Sequence, residues 1–551
     1  MKTILFAVLL NLIFSNTNIS MQSLLFCIKN TEQIHFTNHN TSSNKDLNVF
    51  IESINNSTVE LWLPGATNKD IDNDINLSKI YRLKFPQQNS NKINSIKEGL
   101  EILDIIHSVE YEYLRSPFYT PNDSYYNNQW YLPAINSNDA WDTWTNDGQT
   151  PGNQNVILAS VDLGVNYSHP DLHNNIWQNL AEDADGDGRT IEGSGSNWYL
   201  DPGDLNGIDD DDWDDNPNTF IDDLVGWDPS GNGGLDDNDP DPPHNNAWSH
   251  GTHVAGLLAS TTDNNTGIAS TAFNCSIMAV KVADENQSGQ LYITDGFAGI
   301  LYAAKAGYYA EGFTIINNSW GGIGYSQYEQ ATINVCYNDY NSIIICAGGN
   351  GNNGQEYAIQ YPSGYENVIA VAPLGSNNQW NHWGTYHETI DLSSPGENIR
   401  STTCNGYASW DGSSMASPIA ASVFGLLKSL HPTWNNNMLE TMVLGTADPI
   451  IYDILQNNED YLQGMLGTGR VDSYYAITTP LFPKIEHAGE DIVSGNDQLI
   501  HPGEQCELFI ILFNNPEWGT AINVQATIET DNPYITIINP TINISLKYFL
   551  K

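Results

Sequence analysis

Hydrophobic and polar positions along this chain fall into three regimes. In the first, residues 80–85 alternate, 93–106 carry apolar residues at helical spacing, and 109–113 alternate again. That pattern predicts a small strand–helix–strand unit, ordered from about residue 46 to 114. The stretch 21–45, rich in Asn, Thr and Ser, shows no period, so no regular element is expected there. In the second regime, short unbroken apolar runs take turns with helical patterns. Strands are predicted over 156–161, 277–282, 314–318, 342–347 and 368–372, and helices over 250–260, 294–310, near 325–340 and over 414–430. Runs that are apolar throughout suit strands buried on both faces. The region 121–480 therefore reads as an α/β domain, a mostly parallel sheet with helices on both faces. In the third regime, 481–551, short alternating strands at 506–512, 524–528 and 534–537 stand between Gly and Pro turns, the spacing of a partial β-sandwich.

Length and charge narrow this picture. A chain of 551 residues exceeds one hydrophobic core, so at least two folded units are expected. With 66 Asp and Glu against 19 Lys and Arg, the formal charge of −47 repels phosphate backbones and excludes nucleic acid as a partner. One lysine, an apolar run over 4–14 and a polar stretch after it read as a signal peptide within 1–20. That run is too short to span a bilayer, which takes roughly 20 apolar residues. No later segment reaches that length, so the mature protein is expected outside the cell, free or at the surface. Cys27, Cys275, Cys336, Cys346, Cys404 and Cys506 lack metal-type spacing and read as small buried hydrophobes, with disulfide pairing left open.

The acidity is concentrated between residues 182 and 241. Asp183-Ala184-Asp185-Gly186-Asp187-Gly188 sets carboxylates on alternate residues with glycines between them, a pattern that wraps oxygen ligands around Ca²⁺. A second acidic run contains Asp209 and Asp211, and Asp222 or Asp223 closes a second loop. The expected metal ligands are Asp183, Asp185, Asp187, Asp209, Asp211 and Asp222. No Glu stands at the twelfth position, so this is not a complete EF-hand. The competing reading is a solvated acidic loop.

Three segments carry chemistry. Val161-Asp162-Leu163-Gly164, then His250-Gly251-Thr252-His253, then Gly412-Ser413-Ser414-Met415-Ala416-Ser417-Pro418 place an aspartate, a histidine and a serine in the order Asp…His…Ser. Together they resemble the three catalytic motifs of the subtilisin-like serine peptidases. The resemblance spans about 121–480, with departures at Leu163, Ser413 and Ile419, none of them at a reacting atom. It implies Asp162, His250 and Ser414 as the triad and Asn350, in Ala347-Gly348-Gly349-Asn350-Gly351, as an oxyanion donor. It also implies Ser319, Trp320 and Gly321, with Gly349, as the substrate-binding segments, and His253 as a structural residue. The flanks resemble such enzymes more loosely: 21–120 a propeptide that plugs the cleft as an intramolecular inhibitor, 481–551 an Ig-like module. The function expected from this is a secreted endopeptidase acting on protein substrates with structural Ca²⁺. Two other readings compete: a zinc pair at His250 and His253, disfavoured because a catalytic zinc needs three protein ligands, and an inactive surface or adhesion module on the same fold.

Overall fold

The computed structural model describes residues 19–544 apart from 39–40, 114–118, 196, 212, 214–218, 352–355, 494–502, 504–506, 522–523, 528–533, 535 and 539–540. The expected signal sequence up to residue 18, and Cys506, lie outside the described residues. The chain divides into two compact units, Asn11–Pro117 and Phe118–Lys551, the latter counted together with Met1–Leu10.

The first unit is a four-stranded antiparallel sheet with two helices. Its elements are β1 (Ile19–Ile28), α1 (Lys45–Glu52), β2 (Thr58–Leu61), β3 (Ile80–Lys84), α2 (Ser90–Glu101) and β4 (Ile106–Tyr113). The strand order is β2-β3-β1-β4. Leu24, Phe26 and Ile28 of β1 share one core with Leu47 and Ile51 of α1 and with Ile93, Ile96 and Leu100 of α2. The expectation of no regular element over 21–45 is therefore corrected: β1 is a central strand and α1 begins at Lys45. Being paired on both edges and largely buried, β1 is apolar without a clean alternation. The helix expected over 93–106 starts earlier, where the Asn89 side chain accepts from Lys92 N. It stops near Glu101, so the helical spacing of Ile105 and Ile106 is fortuitous.

The second unit is built on β5 (Ile157–Asp162), β6 (Gly226–Trp227), α3 (His250–Ala259), β7 (Ser276–Lys281), α4 (Gly296–Glu311), β8 (Ile315–Asn318), α5 (Gln327–Asp339), β9 (Ile343–Ala347), β10 (Ile369–Leu374) and β11 (Leu392–Pro395). After them come the hairpin β12 (Ile399–Thr403) and β13 (Gly406–Trp410), and the long helix α6 (Ser413–Leu430). The seven strands lie in the order β6-β7-β5-β8-β9-β10-β11, every pair parallel. All six residues of β5 are buried, which is why it reads as an unbroken apolar run.

Side chains of β5 alternate between two cores. Ile157 and Val161 belong to the core that holds Ile300 and Ala303 of α4 and Ile333 of α5. Leu158 belongs to the other, with Val254 and Leu257 of α3 and Ala420, Val423 and Phe424 of α6. Each aliphatic side chain so buried is worth about 1.5–3 kcal/mol. Counting on by two from Leu158 puts Asp162 on the α3/α6 face, at the carboxyl end of its strand. Those two helices begin with His250 and next to Ser414. The strand's period thus aims the carboxylate at them.

The C-terminal strands form two antiparallel pairs. Ile485–Val493 pairs with Glu507–Asn514, and Val524–Thr527 with Thr541–Ile544. A strand was expected over 534–537, but Thr536 and Ile537 lie outside any strand. The equally alternating Thr541-Ile542-Asn543-Ile544 takes that place, in register from Val524↔Ile544 to Thr527↔Thr541.

Candidate active site

Asp162 and His250 come together because a glycine lets them. Gly251 packs so closely on the β5 end that a Cβ there would lie 2.2 Å from the Gly164 carbonyl oxygen and 3.1 Å from Asp162 Cβ. Only at that approach does His250 Nδ1 reach Asp162 Oδ1, at 2.7 Å. A carboxylate only accepts, so Nδ1 carries the proton and Nε2 presents its lone pair. Asp162 is 1% exposed, and its Oδ1 also accepts from Leu163 N at 2.8 Å. Burial pushes the His250 imidazole down, but the Asp162 charge and hydrogen bond outweigh it and hold the pKa above its ordinary value. His253, one turn on, is buried; its Nε2–H donates to the Ala408 carbonyl (3.2 Å) and its ring stacks on Trp410 at 4.2 Å. Burial pushes His253 down to about 3, so it stays neutral. None of the metal-competent clusters among the described residues contains a histidine.

Ser414 stands in the first turn of α6, where backbone N–H groups have no helical acceptor. Pro418 lies four residues on and has no N–H, so it cannot bond the Ser414 carbonyl. That carbonyl instead accepts from Ser319 Oγ at 2.9 Å, while Ser414 Oγ donates to the Ser319 carbonyl at 2.9 Å. The exchange locks the helix start to the end of β8. Turning Ser414 towards His250 trades a neutral carbonyl acceptor for the imidazole, and such bonds commonly tighten only once substrate is bound.

Asn350 follows β9, and its orientation is set by Ser413. Asn350 Oδ1 accepts from both Ser413 N and Ser413 Oγ, each at 2.9 Å, and Ser413 Oγ accepts from Gly349 N at 3.1 Å. With its oxygen held, the amide presents Nδ2 to the cleft. A Cβ placed on Gly412 would lie 3.5 Å from Ser414 N and 3.8 Å from Asn350 Nδ2. Two donors therefore converge on one small space, which a side chain at 412 would enter.

Ser319 is further held by Asn317, whose Nδ2 donates to Ser319 Oγ (3.0 Å) and whose Oδ1 accepts from Ser417 Oγ (2.6 Å). Trp320 donates its indole N–H to the Val161 carbonyl (2.8 Å) and meets Phe297 edge-on at 5.9 Å, forming a half-buried wall. Gly322 and Tyr361 exchange backbone hydrogen bonds at 2.9 and 2.8 Å. The structure gathers Asp162, His250, Ser414, Asn350, Ser319, Trp320, Gly321 and Gly349 around one cleft of about 1100 Å³. Sequence reasoning missed Ser413 as the anchor of Asn350, and the rim residues Leu291, Tyr292 and Ile323. The pairing of Ser413 with Asn350 is long-range, and no local pattern marks it.

Fold and cleft together define an α/β enzyme of the serine-hydrolase type. Comparison with known proteins carries this further. Residues 153–470 match the model of the subtilase family. The thermophilic serine proteinase of Bacillus sp. (strain AK1) is 32% identical over 409 residues, covering 74% of this chain and 80% of that protein. Thermitase of Thermoactinomyces vulgaris is 33% identical over 335 residues, 60% of this chain and 93% of its own. The halolysin-like extracellular serine protease Nep of Natrialba magadii is 28% identical over 429 residues, 77% and 64% of the two chains. The chain belongs to the subtilase family of subtilisin-like serine endopeptidases.

The acidic insertion gathers carboxylates in three clusters: Glu182, Asp211 and Asp223; Asp183, Asp185 and Asp204; and Asp185, Asp187 and Asp201. Four of the six ligands expected from sequence, Asp183, Asp185, Asp187 and Asp211, lie in them. Asp209 and Asp222 do not; Asp222 Oδ1 accepts from Asn206 N (3.2 Å) and Gly207 N (3.1 Å) and so braces a turn. Glu182, Asp201 and Asp204 were not foreseen as ligands, and of the two residues expected to close the second loop it is Asp223 that joins a cluster. The residues fit an oxygen-preferring cation, because one oxygen each of Glu182, Asp201 and Asp204 is buried without a hydrogen-bond partner. Among the described residues, Asp187 alone of the eight cluster members pairs with a basic side chain, Arg189 at 2.8 Å. Cys27, Cys275, Cys336, Cys346 and Cys404 are all buried and unbridged. No helix among the described residues is long and apolar enough to cross a membrane.

Proposed function

We propose that this chain is exported as a zymogen and cleaves peptide bonds in protein substrates, with Ser414 as nucleophile and His250 and Asp162 as its activating pair. An extended peptide adds as a strand beside Ser319–Gly321, with Gly349 across the cleft. His250 Nε2 takes the Ser414 hydroxyl proton as Oγ bonds to the scissile carbonyl carbon. The carbonyl oxygen becomes an oxyanion between Ser414 N–H and Asn350 Nδ2. Asp162 holds the imidazole in the required tautomer and stabilises the imidazolium. That proton passes to the leaving amine nitrogen as the C–N bond breaks, leaving an acyl-enzyme. Water then repeats the sequence, its proton going through His250 back to Ser414. The observation that carries this reading is the convergence of the 2.7 Å His250–Asp162 bond with the two oxyanion donors at Ser414.

Residues 21–120 serve as the propeptide and intramolecular inhibitor, 121–480 as the peptidase and 481–551 as an Ig-like module. The N-terminal apolar run and the relative named as extracellular support export. Structural Ca²⁺ at the Asp183–Asp187 loop, closed by Asp201 and Asp204, is supported by the orphaned oxygens of the latter two. The test is expression of the full chain beside Ser414→Ala. The parent should lose residues up to about 120 and digest casein, while the variant should accumulate unprocessed. Processing and digestion by the variant would sink the proposal.

A further inference from the structure

Granting the peptidase reading, on which this rests, we infer that Glu329 sets a substrate preference: its carboxylate takes the cation of a lysine or arginine side chain that precedes the scissile residue by two or more positions. Two carboxylates line the cleft, those of Asp162 and Glu329, and among the described residues its one basic side chain is His250. Asp162 is matched by His250 at 2.7 Å. Glu329 has no Lys, Arg or His partner among the described residues, and the one hydrogen bond its carboxylate accepts there comes from Tyr365 Oη. The cleft thus holds a negative charge with no cation of its own, and a substrate can bring one.

A second observation is a helix cap that the fold leaves open. Ser326-Gln327-Tyr328-Glu329, at the start of α5, has the spacing of a capping box, in which the fourth residue's carboxylate reaches back to the backbone N–H of the serine. Ser326 completes its half, its side chain accepting from Tyr328 N at 3.3 Å. The other half is taken by Tyr365, whose Oη accepts from Ser326 N at 3.0 Å and donates to Glu329 Oε2. Tyr365 is 4% exposed, so a buried phenol holds both groups and keeps Glu329 in the cleft wall rather than in its local bond. A carboxylate needed only for the helix would bond Ser326 N directly.

The surrounding walls suit a long cationic side chain. Phe297, Trp320, Ile323 and Tyr361 line the cleft with Glu329. Phe297 meets Trp320 edge-on at 5.9 Å and Tyr365 at 6.1 Å, and Tyr361 lies 4.6 Å from Tyr365. Such rings attract a cation and cover its methylene stem. The register follows from Ser319. When Ser414 Oγ turns to attack, the Ser319 carbonyl it leaves can accept the N–H of the residue under attack. Residues paired along Trp320 and Gly321 are then those that precede it, and Gly321 stands two on from Ser319. The side chain that passes Trp320 towards Glu329 therefore belongs to the acyl part of the substrate.

The test is hydrolysis of internally quenched peptides by the purified mature protein. A neutral peptide with one cleavable bond carries Lys, Gln or Glu at each position in turn, on both sides of that bond. Lysine at one position, at least two before the scissile residue, should raise kcat/KM over Gln by about 5–50-fold, and added salt should reduce that ratio. Glu329→Gln should bring the ratio to about one. Glu329→Lys should reverse the preference in favour of Glu, and Tyr365→Phe should weaken it, because the carboxylate can then close on Ser326 N. The acidity of the whole chain would instead favour lysine alike at every position. An equal gain everywhere overturns the inference, as does no gain anywhere, or a gain that survives Glu329→Gln unchanged. In each of those cases cleavage persists and the peptidase reading stands. A folded mature protein that cleaves none of the peptides overturns both.

Discussion

Ser413→Ala removes one hydroxyl and leaves every reacting atom in place, so it isolates how Asn350 is aimed. In the structure Asn350 Oδ1 accepts two bonds, from Ser413 N and Ser413 Oγ, both at 2.9 Å. The alanine variant keeps the first and loses the second. A single neutral hydrogen bond is worth about 0.5–1.5 kcal/mol net, which converts to a loss of about 2- to 13-fold in rate. Removing the donor itself, in Asn350→Ala, should cost about 10²–10³. Because the oxyanion exists only after attack, both losses should fall on kcat and leave KM nearly unchanged. Ser413→Thr should restore the parent rate, since its hydroxyl makes the same bond. The assay is steady-state hydrolysis of a chromogenic peptide anilide by the four proteins and the double variant. In the Asn350→Ala background, Ser413→Ala should cost nothing further, because it has no amide left to aim. A full second loss there, or a Ser413→Ala effect confined to KM, would refute the relay.

Other predictions follow from neighbouring contacts. The raised His250 pKa means the base stays protonated to higher pH, so the acid limb of kcat/KM should lie above the ordinary imidazole value; Asp162→Asn should move it down and cost about 10⁴ in kcat. The same shift favours the folded state at low pH and fades as pH rises through the folded pKa, which a melting series on Ser414→Ala would show. Lys281, 1% exposed, bonds the fully buried Asp228 and also Glu285 at 2.8 Å; Lys281→Met should destabilise by about 3–5 kcal/mol in urea melts, and Asp228→Asn added to it should recover part of that. Chelation should lower the melting temperature and expose the 182–223 segment to cleavage by added trypsin at Arg189; each ion present at a hundredfold over its Kd adds about 2.7 kcal/mol.

Much of this site is visible in the chain before folding, and the reason is geometric. The unbroken run of β5 ends in Asp162, and a period of two places that carboxylate on the face where α3 and α6 begin. His250-Gly251 and Gly412-Ser413-Ser414 stand at the starts of α3 and α6, the ends of rigid elements that the apolar patterns after them mark in the sequence. What stayed hidden depends on tertiary contact. β1 was overlooked because it is buried on both faces along most of its length and so does not alternate, and its Asn-rich sequel reads as loop. The β12–β13 hairpin was unforeseen as well, although its Trp410 stacks on His253. In the insertion, alternation exposed Asp183, Asp185 and Asp187, yet Asp204 and Asp201 join them, and Glu182 joins Asp211 and Asp223, only through folding. Asp222 shows the converse, for a carboxylate in an acidic run can simply cap a turn.

The most direct test of the central claim is fluorophosphonate labelling of the purified mature protein, with the modified residue located by peptide mapping. An activated serine should be labelled once per chain, at Ser414, and Ser414→Ala should take up none. Stoichiometric labelling elsewhere, or none on folded parent protein with the cleft open, would contradict the account.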